Sequence, residues 1–282
     1  MANLSAFDRQ RTQIEEALRS NSINFNLLYN KYPQFDTDKF VFYISKDKNN
    51  SRNDKWLLGN KPIRKDEYEF FNAKTVAKTQ TNHYQAIQDL GLKTNEKELS
   101  PEWRMNIGLG GESVYETGMT LHHIYGFPYI PATAIKGVAH HYANYLLSLP
   151  EDETHEFISG NEGKKIILDI FGSEDDKNPQ KGKIIFFDAF PITNPILSPD
   201  IMNNHYPKYY DGSGKPPADW QSPLPIFFLT VKNTSFKFVL GIKPKDEKDN
   251  PELLKQTIDL LSEALMQKGI GAKTAVGYGY MQ

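Results

Sequence analysis

The sequence contains no cysteine. Disulfide scaffolds, cysteine-ligated zinc, thiol nucleophiles and iron–sulfur clusters are excluded with it. Long apolar runs are missing too: nothing approaches the stretch of about 18 apolar residues that marks a membrane helix. The opening MANLSAFDRQRTQIEEALRS has no apolar signal core. The expectation is a soluble, cytoplasmic chain with no membrane partner. Net charge is nearly absent, since 33 Lys and Arg stand against 35 Asp and Glu, leaving −2. That excludes a histone-like chain that holds nucleic acid by bulk charge, though not a local basic groove. What is present is a 282-residue chain, 39% hydrophobic and 24% charged, with 19 Gly and 17 Pro. Disorder, collagen and coiled coil do not fit that composition, and the length suits two average domains or one with large insertions.

Residues 1–100 read as a polar, helical region. Phe7, Ile14 and Leu18 recur at helical spacing after Ser5, and further helices are expected over 67–77 and 83–90, with Gly91 ending the latter. The charged, Asn-rich 46–54 separates them as a loop. Residues 104–109 alternate as a half-buried strand would, and Thr133 is placed to cap a helix with the stripe Ile135, Val138, Tyr142, Tyr145, Leu146 and Leu149. Residues 183–190, KIIFFDAF, suit a covered central strand. A long Pro-rich insertion at about 191–224 follows, then strands at 226–231 and 236–242 flanking KNTS as a hairpin. Asn250 and Pro251 open a helix whose apolar face is Leu254, Ile258, Leu261 and Leu265, ended by Gly269. A glycine-rich loop then runs into a last short strand. The expected fold class is α+β: a ferredoxin-like (RRM-like) βαββαβ core over 101–282, with a helical region at 1–100.

Several motifs carry chemistry or fail to. Gly269 to Thr274 is not a Walker loop, because Ala272 stands where glycine must precede the lysine, and the loop follows a helix. Gly108, Gly110 and Gly111 do not form a dinucleotide fingerprint, since Ser113 replaces the third glycine. Two readings remain for both glycine loops. Either they are tight turns, or Gly110 and Gly111 in one and Gly269, Gly271, Gly277 and Gly279 in the other offer backbone N–H groups to a phosphate chain, with Arg104, Lys268 and Lys273 nearby. His122–His123 and His140–His141 are adjacent pairs whose side chains diverge, so neither chelates one metal; no metal site and no cofactor is expected. A histidine of the first pair as general base toward an RNA 2′-OH is chemically open. Asp188, inside an apolar run, is expected to have a structural partner. Lys208, Tyr209 and Tyr210 either pin an irregular loop or combine phosphate contact with base stacking.

The segments GLGGESVYETGMTLHHIYGFPYIPATAIKGVAHHY, GKIIFFDAFPI, NNHYPKYY and GIGAKTAVGYG, in that order, resemble the RAMP superfamily of CRISPR proteins. Within it the chain is most similar to the sixth-subunit family of the Cmr (type III-B) effector complex. The superfamily pattern departs here: Ala132, Thr133, Ala134 and Ile135 fill the middle of its I-P-G-S-S-L-K-G segment, and His140 takes an arginine position, while Lys136 and Gly137 are retained. The resemblance implies a non-catalytic subunit that binds CRISPR guide RNA and supports its pairing with complementary target RNA. It also implies contact with other Cmr subunits, including the repeated backbone subunit, near the 3′ part of the guide. RNA contacts are then expected at Arg104, Gly110, Gly111, His122, His123, Lys136, Gly137, Lys208, Tyr209, Tyr210, Lys268, Gly269, Gly271, Lys273, Gly277 and Gly279. The alternative is a metal-independent endonuclease that processes guide RNA with His122 or His123.

Overall fold

The computed structural model describes residues 24–30, 43–46, 54–58, 61–63, 71–113, 117–150, 157–173, 179–210, 212, 214, 216–217 and 224–282. In chain order these hold α1 (Phe25–Asn30), β1 (Tyr43–Lys46), β2 (Asp54–Leu58), β3 (Lys61–Ile63) and α2 (Ala73–Gln88). Then come β4 (Lys93–Leu99), α3 (Ala132–Leu147), α4 (Gly160–Phe171), β5 (Ile184–Phe186) and β6 (Phe190–Pro191). The chain continues through β7 (Ile196–Asn204), α5 (Pro207–Tyr210), β8 (Leu224–Lys232), β9 (Phe236–Ile242), α6 (Pro244–Asp249) and α7 (Leu253–Gln267). Two compact units result, one of residues 1–70, 108–127 and 196–230, the other of residues 71–107, 128–195 and 231–282.

The second unit is built on β9. Six of its seven residues are buried, and Phe236, Phe238, Leu240 and Ile242 are fully so. Each such side chain contributes about 1.5–3 kcal/mol through burial. β9 pairs antiparallel with β4 along its whole length, from Lys93 opposite Ile242 to Leu99 opposite Phe236. On its other edge it pairs with β5 and then β6. The order β4–β9–β5 places the first, third and second strands of a βαββ unit side by side, as a ferredoxin-like sheet does. The fourth strand is reduced to an antiparallel bridge between Pro101 and Met281, beside β4. α7 buries Leu254, Ile258, Leu261 and Leu265, the stripe read from the sequence, and packs on β4, β9 and α3.

In the first unit β1, β2 and β3 form an antiparallel meander, and β7 pairs with β8. Tyr29 of α1 is fully buried and its hydroxyl donates to the Thr117 carbonyl at 2.8 Å. Thr230 donates to the Ser198 carbonyl at 2.7 Å between the paired strands.

Several expectations change. Residues 1–100 are not simply helical, for they hold four strands besides α1 and α2. The two helices expected across 67–90 are one, α2, capped by the Asn72 side chain and stopped before Gly91 at φ +66°. The helix expected at 5–18 and most of the 46–54 loop lie outside the described residues. Residues 226–231 and 236–242 do not pair as a hairpin. Asn233 turns at φ +52° and Thr234 ties the connection to the Thr193 carbonyl, so β9 leaves β8 and enters the other sheet. The run 183–190 is edge rather than central, and it breaks at Asp188. The insertion is not irregular throughout, since β7 lies in it. Residues 104–109 and the chain's end form single bridges instead of strands, because Gly108 and Gly279 both turn at positive φ.

Candidate nucleic-acid interface

The most ordered assembly of expected site residues is the loop after α7, laid along residues 100–107. Ser100 and Gln282 exchange both backbone hydrogen bonds. Glu102 donates to Tyr280, Gly279 to Arg104 at 2.8 Å, and Ala272 to Asn106 at 2.8 Å. The close approach requires glycine at 271: its φ is +97°, and an added Cβ would collide with the Asn106 carbonyl and the Ile107 side chain. Gly277, at φ +95°, faces open space. Lys273 stands between them in the left-handed region, φ 63° and ψ 30°, at the start of a 3-10 turn, Thr274–Val276. Its carbonyl accepts from Val276 and Tyr278, so the lysine is fixed at the loop's bend. At the loop's origin Lys268 Nζ lies 3.7 Å from the centre of the Tyr145 ring, held by attraction to the ring face. Arg104 Cζ lies 5.1 Å from the Trp103 ring centre, and Trp103 rests on Tyr278 with centroids 5.0 Å apart.

α3 carries Lys136 and Gly137, both exposed. Lys136 Nζ donates to the Phe171 carbonyl at 3.0 Å, at the end of α4, where a cation also meets the negative end of the helix dipole. An ammonium has three donors, so that bond leaves capacity for a phosphate oxygen. Thr133 does not cap α3. The cap is Asp188, whose carboxylate accepts the Ala132 N–H at 2.7 Å, which is the structural partner the sequence called for. His140, at the arginine position, packs against Phe171 with ring centres 4.7 Å apart and planes tilted by 41°.

Gly110, Gly111, His122, His123, Lys208, Tyr209 and Tyr210 belong to the other unit. Gly110 and Gly111 are exposed in a turn closed by Gly111 donating to Gly108. His122 Nδ1 accepts from the Ile124 and Tyr125 amides at 3.2 and 3.3 Å, and its ring stacks on Tyr125. That engages the Nδ1 lone pair in holding the loop. His123 is exposed. Lys208, Tyr209 and Tyr210 form the exposed turn α5, the two rings meeting edge to face at 5.2 Å. Among the described residues no group of three or more His, Asp or Glu is arranged to hold a metal ion, and no helix is long and apolar enough to cross a membrane.

An RRM binds RNA bases on the open face of its sheet. Here the face bearing Thr94, Glu96, Glu98 and Lys237 is partly covered. α2 lies across it, with Gln88 donating to Thr94, His83 stacked at 4.2 Å on Phe190, and Lys237 over the Tyr84 ring at 4.7 Å. The Glu96 and Glu98 carboxylates, 3.1 and 3.3 Å from Lys237, oppose a phosphate chain there. The cations instead sit around the terminal loop. Sequence reasoning found that loop through its glycines. It missed Trp103 and the Asn106 carbonyl, since an isolated aromatic and a backbone acceptor leave no pattern.

The ferredoxin-like sheet and the segments named above point to one superfamily, and comparison with known proteins agrees. The chain belongs to the RAMP superfamily, whose family model matches residues 97–282. Within it the chain is similar to the CRISPR system Cmr subunit Cmr6 of Pyrococcus furiosus, 34% identical over 247 residues, covering 70% of this chain and 71% of the relative. It is also similar to the subunit Cmr6 of Saccharolobus solfataricus, 26% identical over 298 residues, covering 96% and 94%. A chain in the cryo-EM structure of the type III-B Cmr-beta complex bound to cognate target RNA shares the fold, with a TM-score of 0.55 at 23% identity. That match covers 73% of this chain and 65% of the other.

Proposed function

We propose that the chain is a non-catalytic, guide-RNA-binding subunit of a type III-B (Cmr) CRISPR effector complex, in which it meets the repeated backbone subunit and supports target RNA binding. The observation that carries this reading is the terminal loop, whose glycines let the backbone lie flat on residues 100–107 while Arg104, Lys268 and Lys273 surround it. Such an arrangement holds a phosphate chain without regard to base, which suits a complex whose sequence reading is done by guide–target pairing. Family membership and the named Cmr6 relatives support the same reading. A near-neutral surface fits a subunit that packs against similar proteins.

The test is to tag the protein in its host, purify it gently, sequence the RNA and identify the proteins. Repeat-tagged guide RNAs recovered with several effector subunits are the expected result. A chain recovered alone and free of RNA refutes the proposal. In the recovered complex, Lys273→Glu is expected to weaken RNA retention and to reduce the slope of log affinity against log salt by about 0.7 per lost phosphate contact.

A further inference from the structure

Trp103 is 52% exposed, yet its position is fixed. The residues on either side are pinned by backbone hydrogen bonds, Glu102 donating to Tyr280 at 2.9 Å and Arg104 accepting from Gly279 at 2.8 Å. Beneath it lies Tyr278, only 6% exposed, which leaves the indole no room to sink into the core. The Arg104 guanidinium lies over part of the same ring, its Cζ 5.1 Å from the centre. Residues 100–107 and 268–282 together carry Arg104, Lys268 and Lys273 against the single carboxylate of Glu102, in a chain that is slightly acidic as a whole. The apolar neighbours of Trp103 in sequence, Met105 and Ile107, are buried, so the indole is the exposed apolar group of residues 100–107. A rigid aromatic held among cations matches a nucleobase, which offers one π-face beside a phosphate.

We infer that Trp103, seated on Tyr278 and partly overlain by Arg104, is a stacking platform for one base of single-stranded RNA. This rests on the RNA-binding reading above and adds a contact of different chemistry: Lys273 and Lys268 meet phosphate, whereas Trp103 meets a base and is indifferent to which.

The experiment uses the full chain and a fluorescein-labelled oligouridylate, with affinity measured across a salt series. Trp103→Ala is expected to bind about 5- to 100-fold more weakly at every salt concentration, as loss of one stacked base does, with an unchanged salt slope. Trp103→Phe is expected to keep most of the affinity. With Trp56→Phe and Trp220→Phe in place, the fluorescence of Trp103 is expected to be quenched by the RNA, a readout that stands even where Trp103→Ala folds poorly. A folded Trp103→Ala chain that binds like its parent, or unquenched Trp103 fluorescence, overturns the stacking assignment alone, provided the parent binds with a salt-dependent affinity. Normal RNA binding with lost association to another effector subunit overturns it in favour of a protein contact. A parent that shows no salt-dependent binding overturns the RNA-binding reading and the stacking platform together.

Discussion

Gly271 and Gly277 have nearly the same φ and opposite surroundings, so they separate two effects that usually come mixed. Both need a positive φ that disfavours a side chain, at a cost of about 1–3 kcal/mol. At 277 an alanine methyl enters open space, whereas at 271 it drives into the Asn106 carbonyl. Gly277→Ala is therefore expected to lower stability by about 1 kcal/mol. Gly271→Ala is expected to cost more than that and to detach the loop from residues 100–107. Urea denaturation gives the order of the two losses, and amide exchange at Ala272, whose N–H bonds Asn106, reports the detachment. Equal losses in both variants would mean that the close approach at Gly271 is unimportant. Lys273 belongs to the same scale. Its left-handed backbone, uncommon for a residue with a side chain, costs strain that a glycine there would relieve, so its presence fits a position where the ammonium is used.

At the scale of elements, α3 shows how far local sequence reaches. Its apolar stripe was legible, and Ile135, Tyr142 and Leu146 are buried as the 3.6-residue period requires, although Tyr145 turns outward under Lys268. Its cap was not legible. Thr133 lies within the right window, but the acceptor is Asp188, 56 residues away. Thr133→Ala is thus expected to change stability by no more than about 0.5 kcal/mol, as at an ordinary exposed site. Asp188→Ala is expected to cost about 0.5–2 kcal/mol, the range for losing an N-cap. Thermal melts of the two variants decide which residue caps the helix. The apolar face of α7 and its stop at Gly269 were read, because both are local signals, but its start was not: Asn250 closes α6 and Pro251 lies in the turn before α7, whose first residue is Leu253. Strand pairing was read poorly. β8 and β9 are adjacent in sequence with a short connection, and the turn at Asn233 with the ties of Thr234 and Ser235 to residues 192 and 193 separates them into different sheets. α4 escaped notice although Ser159 stands at its N-cap, Gly172 follows it, and its Ile167, Ile170 and Phe171 are buried. The candidate interface was half legible: glycines and lysines announce themselves in sequence, while the segment they lie against does not.

At the scale of the molecule, four groups whose proton affinity departs clearly from its ordinary value move the same way. The Tyr84 hydroxyl is raised above its usual 10.0 by its hydrogen bond to Glu96, then by burial. Tyr129 is raised by burial and by the Asp188 charge, and Tyr142 by burial and by the Glu263 charge. Burial lowers Lys237, but its hydrogen bonds and charge pairing with Glu96 and Glu98 outweigh that, leaving it above 10.5. Each group therefore holds its proton more tightly folded than unfolded. Their contributions are fully present below the unfolded values and are lost as pH rises through the folded ones. The urea midpoint is accordingly expected to be insensitive to these groups from neutral pH to about 9 and to fall above about 10. Phenolate absorbance is expected to lag the free-tyrosine curve until unfolding begins. Tyr84→Phe removes one of the coupled groups and should make the alkaline fall shallower, while also deleting the bond to Glu96 at neutral pH. A midpoint that stays level through pH 11 would show that these groups do not hold their protons more tightly in the folded chain, and an unchanged alkaline fall in Tyr84→Phe would show that Tyr84 is not bound to Glu96.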